Sequence, residues 1–570
     1  MTLLFLFIST LEAVGTGLVG PFISLATRPQ QIEQNQWLSW LYQQSNLNSQ
    51  DRFLFLLGLI VIIVFYIKSF LSFNAQKSVF EFGYSHQGEL ASRLMQAYLA
   101  APYTFHLGRN SAVLIQNILN ETDRFSSGVM MPILTSISNG VVILALVLLL
   151  INTDPLAVVI ILGIMTVALL LFNLLKDRLI VWGKEASESR TEMIRTINHG
   201  LGSFKETRTI GCESYFEKQM QEQTKRYSVS TSLALSFGNL PRFTIEAVLI
   251  SFLIGFTFLS ITANRQNAVN ITSVLGIFAL ASIRLLPAVG NLVSAIGGIR
   301  YHAYSIERLY FDLKELENLQ LESKLAVSAA VPESAILAFN DTIALESVSY
   351  CYPNAPNQSL KRISIDIQKG QSIGLIGKSG AGKTTLVDVI LGLLEPQQGD
   401  IKVDGVSIYS NLRSWQNLIG YVPQSIFLMD DTLAKNIAFG IPNELIDRQK
   451  LHQAVEAAQL SELVERLSDG LNTVVGERGV LLSGGQRQRV GIARALYHQR
   501  EILVFDEATA ALDNETESLV TEAIKSLSRL KTTIVIAHRL STIEHCDRIY
   551  MLEKGRVVRS GSFQEVVANK

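Results

Sequence analysis

Long apolar runs constrain this chain more than any other feature. "FLFLLGLIVIIVFYIKSFLSF" (53–73) and "GVVILALVLLLINTDPLAVVIILGIMTVALLLF" (140–172) are the clearest, the second being two runs joined by an "NTDP" turn. A hydrocarbon layer of roughly 30 Å takes about 20 helical residues, and a backbone inside it has to satisfy its own polar groups. Six such spans are read, near 3–26, 53–73, 129–151, 155–175, 243–263 and 271–297. A soluble core does not need so many consecutive runs of that length. A cleaved leader does not fit the first run either: nothing basic precedes it, and Glu12 interrupts it.

Lysine and arginine set the orientation. Positions 176–240 carry ten of them, whereas 152–154 has none and 264–270 has Arg265 alone. The basic segments therefore face the cytosol, and with six spans both termini do too. The two cytosolic loops have helical spacing of apolar residues, so the spanning helices are expected to continue into the cytosol and turn at tips near 110–117 and 201–208. Between spans 1 and 2, "NQWLSWLYQQ" reads either as a helix lying in the outer interface or as an aromatic belt.

Charges within the apolar runs are costly in lipid and should face an interior or one another. Arg242 and Arg284 are read as candidates for an anionic substrate in a cavity, with a helix-joining Glu–Arg pair as the equal alternative for Arg284. Lys68 reads as snorkelling to an interface. The formal net charge of −1 gives no reason to expect a nucleic-acid partner. Three well-separated cysteines (Cys212, Cys351, Cys546), with no CxxC pair, argue against a disulfide framework or a zinc site.

The second half has a different character. A mixed polar stretch, 306–340, reads as a linker between a transmembrane domain (1–305) and an α/β domain (341–570). "SIGLIGKSGAGKTTLVDVILGLL" is an apolar strand, a glycine-rich turn and a helix, the context that G-x-x-x-x-G-K-[ST] requires. There Gly377, Lys378, Ser379, Gly380, Ala381 and Gly382 would wrap phosphates with backbone N–H groups. Lys383 would reach the outer phosphate oxygens, and Thr384, followed by Thr385, would offer its hydroxyl to Mg²⁺. "EILVFDEATAALD" ends a buried strand in two acids: Asp506 suits ordering Mg²⁺, and Glu507 suits activating water. His538 ends another apolar strand and is read as a γ-phosphate sensor. Gln424, after "YVP", is a weaker candidate to reach Mg²⁺ or water.

These pieces in this order resemble the nucleotide-binding domain of ATP-binding-cassette (ABC) transporters, over essentially all of 341–570. The resemblance makes 377–385 Walker A, Gln424 the Q-loop glutamine, "LSGGQ" (482–486) the signature, 502–506 Walker B, "AALD" (510–513) the D-loop and His538 the switch histidine. It also makes Tyr352 the aromatic that stacks on adenine, and "TVVGERG" (473–479) the exporter loop that meets the transmembrane domains. Six spans fused ahead of one such domain resemble a type IV exporter half-transporter. "EAVGTGLVGPFISL", "PYTFHLGRNSAVLIQNILNE", "GSFKETRTIG" and "IRLLPAVGNL" are similar to lipid-linked-oligosaccharide flippases of the PglK type. Members usually have a cytosolic elbow helix before span 1. Met1 here almost opens that span, so no elbow helix is assigned.

The fold implied is an all-α six-helix transmembrane domain fused to an α/β P-loop ABC ATPase domain. In this family the signature, Ser483, Gly484, Gly485 and Gln486, grips the γ-phosphate of ATP held by a second subunit's Walker A. That agrees with its chemistry, a helix start offering backbone donors to an anion. The implied protein is a homodimer in the inner (plasma) membrane with its ATPase domain in the cytoplasm, using ATP and Mg²⁺. It would flip or export a lipid-linked oligosaccharide or glycolipid; export of peptides, drugs or other lipids is the alternative.

Overall fold

The computed structural model describes residues 22, 25, 36–45, 49–151, 155–263, 286–328, 337–353, 355–507, 514–528, 530–537 and 539–568. The chain forms two compact units. One comprises Met1–Ala101 with Phe105–Leu319, the other Pro102–Thr104 with Gln320–Lys570.

The first unit is helical. Helices α1 (Gln50–Ala100) and α4 (Glu213–Ala263) have 51 residues each, and α3 (Pro155–Gly202) has 48. At 1.5 Å per residue α1 is about 76 Å long, more than twice a hydrocarbon layer. Its first half is apolar towards the outside: Phe55, Tyr66 and Phe70 are all more than two-thirds exposed, the pattern of a helix that faces lipid. Helix α2 (Met131–Ile151) continues a chain that is helical from Ser111, through two π-helical turns at Asn117–Glu121 and Ser126–Met130. Among the described residues, two helical stretches are long and apolar enough by composition to cross a membrane, Gln50–Ala100 and Ser111–Leu144.

Helices α3 and α4 carry the expected spans 155–175 and 243–263. Of span 3–26 only Phe22 and Leu25 are described, and of span 271–297 only the helical residues from 286 onward; the "NTDP" turn at 152–154 and the loop at 264–270 lie outside the described residues. The outer segment forms the helix Gln36–Gln44, whose Tyr42 meets Phe53 of α1 edge-on at 5.2 Å.

Close approach of helices is set by small residues. A Cβ on Gly183 of α3 would lie 1.8 Å from the carbonyl oxygen of Tyr301. Around this crossing Leu179, Ala234, Ile245, Val289 and Val293 are buried together. The stretch read as linker contains helix α5 (Ala303–Ser328), whose Leu309 and Leu316 are buried with Leu94, Tyr98 and Phe105. Its polar sequence concealed an amphipathic helix that packs along one side only.

The first loop tip falls at Ala101–Asn110 rather than 110–117. Helix α1 stops at Ala100, ahead of a proline that cannot continue it; a single short helix, Tyr103–Leu107, lies in the tip, and the longer helical run resumes at Ser111. The second tip spans the short helix Phe204–Ile210 and ends on Gly211 at φ +74°, within the region expected.

The second unit has two sheets. β1 (Thr342–Tyr350), β2 (Leu360–Gln368), β4 (Gln398–Val403) and β5 (Val406–Ser407) form an antiparallel sheet in the order β2-β1-β4-β5. The other sheet has the order β10-β9-β3-β8-β7-β6, with β3 (Ser372–Ile376), β6 (Ile419–Val422), β7 (Ile502–Asp506), β8 (Thr532–Ile536), β9 (Arg548–Glu553) and β10 (Arg556–Gly561). Its β9, β3, β8, β7 and β6 are mutually parallel. β3, β7 and β8 are buried along their whole length, which explains their mostly apolar sequences. Parallel strands bring their C-terminal ends to one edge, where ligands of such sheets bind.

Candidate functional site

At that edge β3 runs into the glycine-rich turn and then helix α6 (Lys383–Ile390). Two glycines are obligatory here. Gly377 (φ +156°) would place a Cβ 2.4 Å from the Leu552 carbonyl oxygen, and Gly382 (φ +103°), the cap of α6, would place one 2.8 Å from that of Ser359. The turn thus closes tightly on neighbouring backbone and on itself, Ala381 N–H donating to the Lys378 carbonyl oxygen (3.1 Å), and leads into the start of α6, where the helix dipole favours an anion. Lys383 is buried and its Nζ donates to the carbonyl oxygens of Gly377 (2.9 Å) and Lys378 (3.4 Å). Thr384 is exposed and Thr385 buried, with the Thr385 hydroxyl 3.3 Å from that of Tyr352.

Two strands away, β7 delivers Asp506 and Glu507. Glu507 sits at φ +48°, a left-handed conformation that costs a non-glycine residue and turns its side chain out of the strand line. The Gln424 side-chain amide donates to Glu507 Oε2 at 2.7 Å. The structure therefore brings Gln424 and Glu507 together beside Asp506. Burial first, and then the adjacent Glu507 charge, raise the Asp506 carboxyl; the Tyr421 hydroxyl, donating to Asp506 Oδ2 (3.3 Å), and Lys383 oppose that shift.

Three residues of this locality were missed in the sequence. Tyr421 is one; three positions before Gln424 on a strand beside β7, it was within reach of being found. Another is Asp388 on α6, whose carboxyl is pushed up to about 6 by burial and then by Asp506. Tyr103 was missed as well: it belongs to the second unit, where burial, Asp388 and Tyr352 raise its phenol. Nothing in the local sequence pattern marks it.

The signature begins helix α7 (Gly484–Tyr497). Ser483 is its cap, in a reciprocal box: Ser483 Oγ accepts from Gln486 N (3.3 Å) and Gln486 Oε1 accepts from Ser483 N (2.8 Å). Ser483 and Gly484 are exposed. Among the described residues, no hydrogen bond joins Ser483–Gln486 to the phosphate-binding turn. Arg242 is exposed, and its stem lies across Gly290, where a Cβ would meet Arg242 Cγ at 3.3 Å. Arg284, His538, Glu12 and the D-loop 510–513 lie outside the described residues.

Residues 360–510 match the family model described as ABC transporter. Along most of its length the chain is 31% identical to the ATP-dependent lipid A-core flippase of Cupriavidus metallidurans, covering 84% of this chain and 80% of that protein. The chain belongs to the ABC transporter family. A further relative, the ATP-dependent lipid A-core flippase of Ralstonia nicotianae, is 29% identical over 84% of this transporter and 79% of its own length. Among solved structures, a bacterial Atm1-family ABC exporter with ATP bound superposes with a TM-score of 0.76 at 22% identity, covering 98% of this chain and 96% of that one. The transporter therefore has the exporter fold, a helical transmembrane domain followed by an ABC ATPase domain, and it couples ATP hydrolysis to export.

Proposed function

We propose that this ABC exporter works as a homodimer and moves a glycolipid across the inner (plasma) membrane, its ATPase domain lying in the cytoplasm. The observation that carries this reading is a likeness to lipid A-core flippases that runs through both domains. Within that class, a polyprenyl-pyrophosphate-linked oligosaccharide is the finer candidate, supported by the PglK-like stretches of the transmembrane half. Exposed Arg242 is a proposed contact for an anionic head group, together with Arg284.

Dimerisation follows from the signature. Its exposed helix start is an anion site with no hydrogen bond to its own chain's phosphate turn, so its natural ligand is the γ-phosphate held by a second copy. ATP then joins two ATPase domains. Walker A residues 377–385 hold the phosphates, Tyr352 stacks on adenine and Glu507 takes a proton from the attacking water, with Gln424 fixing the Glu507 carboxylate. His538 is proposed to sense the γ-phosphate. The Thr384 hydroxyl, the Asp506 carboxylate and the Gln424 carbonyl are hard oxygen donors that fit Mg²⁺. When bound, Mg²⁺ supplies charge neutralisation at the phosphates. Loss of the shared γ-phosphate releases the dimer contact and resets the transmembrane helices, a ligand-driven shift between two states.

The test is flipping in proteoliposomes of the purified transporter, with lipid A-core and a fluorescent polyprenyl-pyrophosphate oligosaccharide offered separately. ATP-dependent movement of either supports the glycolipid reading, and movement of the second alone supports the finer one. ATPase stimulation by peptides or drugs, with neither lipid moved, would replace it by the alternative export function.

A further inference from the structure

Within the first unit, on the cytosolic side of the expected span 129–151, a carboxylate is sealed inside the helix bundle. Glu121 has no exposed surface. It lies ten residues before Met131, about 15 Å along the helix, and closes the first π-helical turn. Its Oε1 collects the polar contacts: Ser187 Oγ of α3 donates at 2.6 Å, Gln116 Nε2 at 2.9 Å, and Arg124 is paired at 3.5 Å. Among the described residues its Oε2 has no hydrogen-bond partner. Burial pulls the carboxyl up, but Arg124 and then the Ser187, Ser305 and Gln116 side chains hold it low; Ser305 of α5 is itself buried.

The same π-helical turn makes a second contact with α5. Asn117, fully buried, donates to Asp312 Oδ2 (2.5 Å), which also accepts from Tyr98 of α1 (2.7 Å), while Arg109 pairs with Asp312 Oδ1 at 2.8 Å. Among the described residues Asn117 Oδ1 is bare as well. His302, near Glu121 and Arg124, is kept neutral by burial, and its ring fills the notch left by Gly128 in the second π-helical turn, where a Cβ would be 2.1 Å away. Three helical elements (α1, α3 and α5) thus converge on one wide-turned helix segment through polar rather than apolar contacts.

Static glue does not require this arrangement. A buried ion pair is weak stabilisation unless every oxygen is used, and leaving one bare inside a bundle costs more than an apolar replacement would. π-Helical turns recur where a helix must change its register or bend, and packed helices move between discrete arrangements rather than deforming smoothly. A carboxylate with one occupied and one free oxygen can exchange partners as its neighbours slide without losing its charge compensation.

We propose that Glu121 is a positioning residue for coupled transport: its carboxylate clasps α3 through Oε1 more tightly in the arrangement seen here than through the Oε2 contacts it takes up when the helices shift to the other transport state. This rests on the homodimeric, two-state reading above.

The experiment uses the full-length transporter in lipid nanodiscs, with Cys212, Cys351 and Cys546 replaced by serine and a spin label at Arg93→Cys. Electron–electron distances between the two copies are followed against ATP concentration in the presence of vanadate. The parent is expected to convert from one distance to another. Glu121→Gln, which keeps the shape and removes the charge, is expected to shift the ATP concentration at half-conversion about fivefold. A midpoint within twofold of the parent overturns the clasp. No distance change in the parent overturns the two-state reading and the clasp with it. If Glu121→Gln does not accumulate folded, Ser187→Ala removes the shortest of the bonds and keeps the charge. It is expected to shift the midpoint about threefold, and an unchanged midpoint overturns the clasp.

Discussion

The two units of this transporter are built on opposite rules. In the ATPase unit the strands β3, β7 and β8 are buried throughout and packed on side chains such as Trp415, which is fully buried and donates its indole N–H to the Ile390 carbonyl oxygen at 2.8 Å. In the helical unit large apolar residues such as Phe55 and Phe70 lie outside, while Gln116, Asn117, Glu121, Ser126 and Ser187 have no exposed surface. One unit is held by apolar burial against water. The other keeps its apolar surface for lipid and is joined inside by close backbone approach and polar contacts, because lipid gives apolar side chains no reason to leave it. A rigid chemical site suits the first construction, and sliding helices suit the second.

The sharpest way to test that division is to stop the chemistry alone. Glu507→Gln is expected to lower ATP turnover by about 10²–10⁴-fold, the range for losing a general base. An ATP-bound dimer should accumulate, measured by phosphate release and by retained radiolabelled ATP; brisk hydrolysis would remove Glu507 from that role. Next in size, Trp415→Ala should destabilise the ATPase unit by about 3–5 kcal/mol, as large core deletions do. Thermal unfolding that showed no early transition would contradict a core-dominated unit.

Gly183→Ala tests the other construction. The added methyl meets the Tyr301 backbone, so the helical unit is expected to lose about 1–3 kcal/mol. Scanning calorimetry in detergent would register this, with the ATPase transition unmoved.

The smallest expected effect is a difference in pH response. Burial, and then Arg124, hold His302 at about 4 against an ordinary 6.5. The unfolded chain binds the extra proton between those values, so the helical unit is fully stable above pH 6.5 and weakens as pH falls towards 4. Asp388 is raised from 3.8 to about 6. There the folded state holds the extra proton, so metal-free ATPase unit loses stability as pH rises from about 3.8 to 6. Asp388→Asn should flatten that slope, and unfolding measured at pH 4.5 and 7 in chelator would show whether it does.

The ATPase unit was the more legible in sequence, for a physical reason. Its strand–turn–helix at 372–390 and its acid-ended strand at 502–506 write their chemistry in consecutive residues, and each is found in the expected element. Tyr421 and Asp388 escaped because their partners lie far along the chain, in strands and helices that only the sheet order brings together. In the helical unit, apolar length announced the long helices but not their ends. The tip at 101–110 was displaced from the expected 110–117 by Pro102, and α5 was hidden in a stretch whose polar residues outnumber the few leucines it buries. The Glu121 cluster was invisible because Gln, Asn and Ser scattered over 116–305 have no periodicity of their own. Arg284 and His538 are not among the described residues, and their roles stay with the proposal.

Helix α1 contains no proline between Gln50 and Ala100. An uninterrupted rod about 76 Å long magnifies rotation: pivoted at its outer end, a tilt of about 10° carries its inner end some 13 Å sideways. Such leverage means that a small rearrangement of side chains around a head group is enough to produce a stroke of molecular size at the far end. The same gearing, driven in reverse, turns a large displacement into a fine one.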